Sequence, residues 1–256
     1  MLPKVLVGCP TSNHKEYCLD KYVKGLKSLT YKNFDILIVD NSEDESYYEK
    51  IKSYDLPVKK LDKNYELARF RLSESRNMIR KEVLEGDYDY FFSLEQDVVP
   101  PVDVIERLLS YKKLIISGVY YNKIKDTYPP GLKPLLWRTA TKEELDFILS
   151  TDDPMYDSIK KQIEIEGVRE GSKIRARFTV EELEKPKLVE IYMAGLGCVL
   201  IQRDVLKKIK FKSSMDRQSF DDVQFYEDAR KLKYPLYADT SIKCKHYIMK
   251  WNSIKM

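Results

Sequence analysis

Apolar residues in the first 120 positions recur with two alternating periods. "KVLVGCP" (4–10) is a compact apolar run stopped by Pro10 and predicts a buried strand. Residues 14–29 then place Cys18, Leu19, Tyr22, Val23, Leu26 and Leu29 at helical spacing. "FDILIVD" (34–40) predicts another buried strand, closed by the turn-forming Asp40-Asn41-Ser42, and "PVKKLD" (57–62) a shorter one. A helix over 67–84 gathers Ala68, Leu72, Ile79 and Val83 on one face, with Arg69, Arg76 and Arg80 near one another on a different face. "YDYFFSL" (88–94) and "LIISGVYY" (114–121) predict two further strands around a short helix at 102–113. Such alternation implies an α/β fold with a mostly parallel sheet flanked by helices, and ligands gathered at the carboxyl ends of its strands.

After Tyr121 the pattern breaks. Residues 122–190 are polar, contain "YPPGLKP" and carry two capping-box signatures, Thr141-x-x-Glu144 and Thr179-x-x-Glu182. They read as an irregular and helical insertion, not an independent domain. Apolar order returns with "IYMAGLGCVLI" (191–201), helices over 203–209 and 221–233, and "PLYADTSIKCKHY" (235–247). The expectation is one domain over residues 1–256, in which two halves (1–121 and 191–256) flank the insertion.

Composition narrows the function. The 256 residues are 43% hydrophobic, ample for one large core. Charged residues make up 34% but nearly cancel, to a formal +4, which argues against nucleic acid as the partner. No apolar run approaches the roughly 20 residues of a membrane helix, and "MLPKVLVGCP" turns polar too soon for a signal peptide, so a cytoplasmic protein is expected. Lys207, Lys208, Lys210 and Lys212 form a basic cluster that could lean on an anionic membrane surface. The four cysteines form no CxxC pair and read as buried free thiols. Oligomeric state is left open.

The candidate chemistry begins with two acids. Glu95 and Asp97, two apart at the end of the most apolar strand, would point the same way in an extended chain, and Pro100-Pro101 stops the segment. Same-side carboxylates repel unless something positive lies between them, and a divalent cation is the natural occupant. Asp221 and Asp222 open an amphipathic helix, where they either cap it or serve as a base kept ionised by its dipole. His246, one of only two histidines, directly follows a predicted strand.

The ordered segments "VLVGCPTSNH", "ILIVDNSEDES", "SESRNMI", "DYFFSLEQDVVPP", "AGLGCVLIQRDVLKKIKF" and "DDVQFYEDARKLKYPLYADTSIKCKHY" together resemble a family 2 glycosyltransferase with the GT-A, Rossmann-like fold. The resemblance covers roughly 4–125 and 190–248 and leaves the insertion unmatched. It implies that Pro10, Thr11 and Asp40 hold the nucleoside of a sugar donor and that Arg76-Asn77 help to hold the nucleotide. Glu95-Gln96-Asp97 matches the metal motif, with Glu95 also beside the donor. His246 matches a histidine that ligates the metal in some members. Asp221-Asp222 matches the acid pair whose second member, Asp222, is the general base. Gly195-Leu196-Gly197 matches the loop lining the acceptor. Two positions depart from the pattern: Glu replaces the first Asp of the metal motif, and Asp221 replaces a Glu.

The implied activity is transfer of a sugar from a UDP- or GDP-sugar to an acceptor hydroxyl on a glycan, lipid-linked molecule or protein, with inversion at the anomeric carbon. The implied cofactor is Mn²⁺ or Mg²⁺, and a mixed carboxylate–imidazole seat leans toward Mn²⁺. Two alternatives stay open: a catalytically silent nucleotide-sugar or glycan-binding module, and a nucleotidyltransferase, although "GCPTSNHKEY" lacks the Gly-rich phosphate loop of the latter. Arg69 and Arg80 read as solvated or as reaching phosphate, and Trp137 and Tyr128 as either sugar-stacking rings or local anchors.

Overall fold

Strand β1 (Val5–Thr11) is buried along its whole length, as expected of a central strand covered on both faces. A two-turn 3₁₀ helix (Asn13–Cys18) leads into α1 (Leu19–Lys27), so the one helix expected over 14–29 is divided at Cys18. Then follow β2 (Phe34–Asp40), α2 (Ser46–Lys52), β3 (Val58–Lys60) and the long α3 (Ala68–Glu85). β4 (Tyr90–Leu94), a two-residue β5 (Val98–Val99), α4 (Val104–Ser110) and β6 (Ile115–Val119) complete the first half. The insertion contains β7 (Tyr121–Ile124), β8 (Gly131–Pro134), β9 (Leu136–Thr139), α5 (Lys142–Ser150), α6 (Asp157–Glu166), β10 (Arg175–Arg177) and β11 (Leu188–Glu190). The last part comprises β12 (Met193–Ala194), β13 (Cys198–Gln202), α7 (Arg203–Lys208), α8 (Asp221–Lys231), β14 (Tyr237–Lys243) and β15 (Lys245–His246). This computed structural model describes residues 2–62, 65–124, 131–166, 174–215 and 219–248. Tyr128 lies outside the described residues.

Eight strands form the main sheet in the order β11-β14-β6-β13-β4-β1-β2-β3. Parallel pairing joins β4-β1-β2-β3 and β6-β14, whereas β13 runs antiparallel to both of its neighbours and β11 antiparallel to β14. Six strands therefore point one way and two the other. Alternation along each strand feeds two separate core layers. Leu6 and Phe91 pack with α3, α7 and α8 residues such as Ile79, Val205 and Phe225 on one face. Val5, Val7 and Phe92 pack with α1, α2 and α4 residues such as Leu19, Ile51 and Ile105 on the other. Burial of each such side chain is worth about 1.5–3 kcal/mol, so these layers supply the main drive for the fold. All four cysteines lie buried and free.

The insertion has its own small core of Ala140, Leu145, Ile163 and Ile174, yet it also adds β11 to the main sheet and β9 to a three-stranded sheet with β10 and β12. Thr141 heads α5 with both capping-box hydrogen bonds, at 2.8 and 3.2 Å. The second box, Thr179 with Glu182, forms equally well but heads only the single turn Glu181–Leu183. Caps satisfy orphan N–H groups; they do not lengthen a helix that lacks an apolar face.

The apolar stretch 191–201 is divided by a loop at Gly195–Gly197, between β12 and β13. Two arginines of α3 also depart from expectation. Arg80 donates from Nε to the Leu206 and Ile209 carbonyls at 2.7 and 2.9 Å, closing the C-terminal end of α7. Arg69 is 8% exposed, with Nη2 3.7 Å from Met215 Sδ. Neither is a solvated surface cation. The lysine cluster is partly neutralised, Lys207 pairing with Asp204 and Lys212 with Asp228, each at 2.7 Å. Among the described residues no helix is long and apolar enough to cross a membrane.

Candidate functional site

The carboxyl ends of β1, β2, β4 and β6 share one rim, and the antiparallel β13 begins there. Above that rim lies a cavity of about 1040 Å³. Pro10, Thr11, Arg76, Glu95, Asp97, Gly195, Leu196, Asp221, Asp222 and His246 all line it. Asp40, Asn77 and Gly197 are not among its lining residues.

The acids after β4 sit in a turn, not in the strand, which ends at Leu94. Val98 N–H closes the turn on the Glu95 carbonyl at 2.9 Å. Gln96 is fully buried and knits three elements together. Its Oε1 accepts from Thr11 Oγ1 at 2.6 Å and from the Tyr47 hydroxyl at 2.7 Å, and its Nε2 donates to the Lys15 carbonyl at 2.6 Å. Beyond the turn, β5 pairs antiparallel with β15, setting His246 opposite Val98, and Tyr247 N–H donates to the Asp97 carbonyl at 2.8 Å. This small ladder is what brings a residue 149 positions away against Asp97, its Nε2 3.6 Å from Asp97 Oδ2.

Something positive does lie between the carboxylates, and it belongs to the chain. Lys15 Nζ is 3.0 Å from Asp97 Oδ1 and 3.4 Å from Glu95 Oε2. Burial works against the ammonium, but Asp97 and Glu95 outweigh it and hold the Lys15 pKa well above its ordinary value. Burial also opposes the Asp97 charge, yet Lys15 and then His246 keep that carboxyl well below the usual carboxylate range. The other oxygen of Glu95 takes the Arg76 guanidinium, whose Nη1 donates to Asp221 Oδ2 at 2.5 Å. Arg76 and Asp221 are each 1% exposed. Arg76, expected to reach the nucleotide, is therefore a buried bridge from α3 to β4 and α8. The Asn77 amide exchanges two hydrogen bonds, 2.8 and 3.0 Å, with the Phe211 backbone. Asp40 is wholly buried, accepting from Ser42 N–H and Oγ and pairing with Lys60 at 2.9 Å. Its neighbour Asn41 lines the cavity instead.

Asp222 stands in the first turn of α8 and accepts from Val223 N–H at 2.7 Å. Burial, and then the adjacent Asp221 charge, push its carboxyl up to about 6. Burial pushes Asp221 up too, with Arg76 offsetting part of the effect.

Tyr120, at the end of β6, went unnoticed in the sequence. Its hydroxyl accepts from Gly197 N–H at 3.0 Å and its ring meets the His246 ring edge-on at 5.2 Å. The two glycines make room for it: a Cβ on Gly195 would stand 2.1 Å from the Tyr120 hydroxyl, and one on Gly197 2.7 Å. Gly195→Ala should therefore cost about 1–3 kcal/mol in urea unfolding by overpacking. A change under about 0.5 kcal/mol, the range of ordinary surface substitutions, would show that Tyr120 is not seated there. Trp137 also lines the cavity, with the Arg177 guanidinium 4.4 Å from its ring centre.

Among the described residues no three His, Cys, Asp or Glu side chains are grouped closely enough to hold a metal ion by themselves. Two donors fit one nonetheless. Burial opposes the imidazolium, yet Asp97 outweighs it and raises the His246 pKa, so in the free protein Nε2–H faces Asp97. Tyr121 O, 2.9 Å from Nδ1, takes the other ring proton, and loss of the Nε2 proton turns that nitrogen into a metal donor. At 3.6 Å, Nε2 and the carboxylate are too far apart for a hydrogen bond and leave a place for a cation. One carboxylate and one imidazole are the partial set a divalent ion accepts when substrate phosphates complete its shell.

No protein-family model matches the sequence, and no curated protein matches it. Solved structures do match. GalNAc-T7, determined with UDP, GalNAc and Mn²⁺, has a TM-score of 0.62 at 11% identity over 97% of this chain and 45% of that one. A S. aureus TarS fragment in complex with UDP-GlcNAc gives 0.56 at 12% identity, covering 96% of this chain and 60% of that one. A second S. aureus TarS structure gives 0.53 at 14% identity, covering 94% and 36%. The chain thus spans less than two thirds of each of these proteins. At such identities the likeness concerns the fold: a large, mostly parallel sheet flanked by helices, matching the glycosyltransferase A type.

Proposed function

We propose that this protein is a glycosyltransferase that moves a sugar from a nucleoside diphosphate to an acceptor hydroxyl, with inversion. The observation that carries this reading is the convergence of Asp97, Asp222 and His246, from three distant segments, on one cavity at the carboxyl rim of the sheet. Its volume, about 1040 Å³, suits a ligand as large as a sugar nucleotide.

The roles follow from the chemistry. Asp222, with a pKa near 6, is ionised at neutral pH yet basic enough to take the acceptor's proton as its oxygen attacks the anomeric carbon. Asp97 and His246 would hold a divalent cation, which when bound supplies Lewis-acid neutralisation of the departing diphosphate. Arg76 keeps Glu95 and Asp221 in place, and Tyr120 fixes the glycine loop on the acceptor side.

Melting of the protein with UDP or GDP and Mn²⁺ tests the donor assignment. A diphosphate at 100 times its Kd adds about 2.7 kcal/mol, a rise of roughly 5–10 °C for a chain of this size. Uridine or guanosine should do far less. No stabilisation by either diphosphate would overturn the proposal, and retention of configuration in the product by NMR would remove Asp222 from its role. A silent binding module is the second reading, favoured by the Lys15 ammonium already lying between the acids. It predicts stabilisation by diphosphate without release of nucleoside diphosphate from any donor tested.

A further inference from the structure

Lys15 belongs to no part of the scheme above, yet it is among the most closely held cations of the cavity. Its backbone carbonyl is gripped twice, by Gln96 Nε2 at 2.6 Å and by Cys18 Sγ at 3.1 Å. Its side chain is only 23% exposed, and its ammonium touches both acids of the turn. Asp97 Oδ1 faces Lys15 while Oδ2 faces His246. The same carboxylate thus serves the chain's own cation on one side and the candidate metal seat on the other. The lining around it is crowded with charge: Glu95, Asp97, Asp221 and Asp222 against Lys15 and Arg76.

We propose that Lys15 is a resident counter-ion that a divalent cation must displace, so the site takes up metal well only together with a diphosphate. The inference rests on the reading of the cavity as a sugar-nucleotide site. A cation seated between Asp97 Oδ2 and His246 Nε2 would stand on the same carboxylate that holds the Lys15 ammonium through Oδ1, and two positive groups on one carboxylate repel each other. A metal that binds alone must drive the ammonium into the cavity without a partner. A metal that arrives with a diphosphate gives the ammonium phosphate oxygens to pair with, and the displaced bond is replaced. Lys15 thereby couples metal binding to donor binding, and the coupling acts equally in both directions. It also keeps the two acids from repelling each other while the site is free.

Free Mn²⁺ measured by electron paramagnetic resonance at pH 7.5 tests this. The wild type should bind Mn²⁺ alone weakly, and Lys15→Met at least tenfold more tightly. Lys15→Arg, which keeps the charge, should resemble the wild type. UDP or GDP should tighten Mn²⁺ in the wild type by at least tenfold more than in Lys15→Met. Equal affinity of wild type and Lys15→Met for Mn²⁺ alone would overturn the inference, even where both diphosphates bind. Binding of neither diphosphate would overturn the transferase reading, while the metal-only comparison would still decide for or against displacement. Should Lys15→Met fail to fold, the wild type labelled with ¹⁵N at lysine Nζ replaces it. The protected ammonium signal, assigned by its loss in Lys15→Arg, should shift when Mg²⁺ and UDP are added together, and an unmoved signal under saturating ligand would refute displacement.

Discussion

Asp222→Asn is expected to lower turnover by on the order of 10²–10⁴-fold, the usual worth of a positioned general base, while donor binding changes little. Asn keeps the shape and can still accept from Val223 N–H, which Asp222 meets at 2.7 Å, but it cannot take a proton. The pH dependence supplies a signature of its own. Burial, the Asp221 charge and the nearby Glu95 raise the Asp222 pKa to about 6, and Arg76 and the Val223 hydrogen bond pull against them. The carboxylate form is the competent one, so turnover rises with pH through about 6, and that limb vanishes in the variant. Stability moves the opposite way. A carboxyl whose pKa is higher folded than unfolded weakens the fold above about 6 and does nothing below its unfolded value near 4. Asn should therefore stabilise the protein by about 1–3 kcal/mol at pH 7.5, and that gain should disappear by about pH 4. Full turnover in the variant, or an unchanged acid limb, would eliminate Asp222 as the base.

Arg76→Met should give the largest loss of stability, about 3–5 kcal/mol by urea unfolding. The guanidinium and Asp221 are both 1% exposed and 2.5 Å apart, so removing one leaves the other's charge buried without compensation. Glu95 loses a partner as well, and with it the turn before β5 loses its tie to α3. Arg76→Lys should recover only part of the loss, since one ammonium cannot fork to two carboxylates as a guanidinium does. The double variant Arg76→Met with Asp221→Asn should be more stable than Arg76→Met alone, because the stranded charge is gone. A loss below about 1 kcal/mol in Arg76→Met, the scale of a solvent-exposed pair, would mean that the bridge is not formed in solution.

Much of the sheet could be read from runs such as "KVLVGCP", "FDILIVD" and "YDYFFSL", because strands covered on both faces must be apolar throughout. The helix α2 escaped, since in only seven residues it turns Tyr47 and Ile51 inward and offers little periodicity. The loop at Gly195–Gly197 was expected from the family resemblance alone; its physical reason is Tyr120, 75 residues before Gly195, whose hydroxyl needs the space a Cβ would fill. At the site, the spacing of Glu95 and Asp97 pointed to a metal between acids on an extended strand, whereas they sit in a turn and meet Lys15; the opening residues of α8 were placed at its first turn. Lys15 was visible in "TSNHKEY" directly after β1, at the same rim, but a lone lysine in a polar stretch gives no sign of which acid it will meet. Arg69, Arg76 and Arg80 looked alike on one helix and became a buried side chain, a buried bridge and a helix-end cap.

By itself the sequence determined the alternation of strands and helices and, with it, the rim at which the strands' carboxyl ends meet. Apolar periodicity is enough for that, because burial is non-directional and is registered within each short segment. Only the tertiary structure decided that the cation in the free protein is Lys15, that His246 reaches Asp97 through the β5–β15 ladder, and that Arg76 joins Asp221 to Glu95. Those choices depend on separations of a few ångströms between segments far apart in the chain, a distance over which ion pairing and hydrogen bonding rise or vanish.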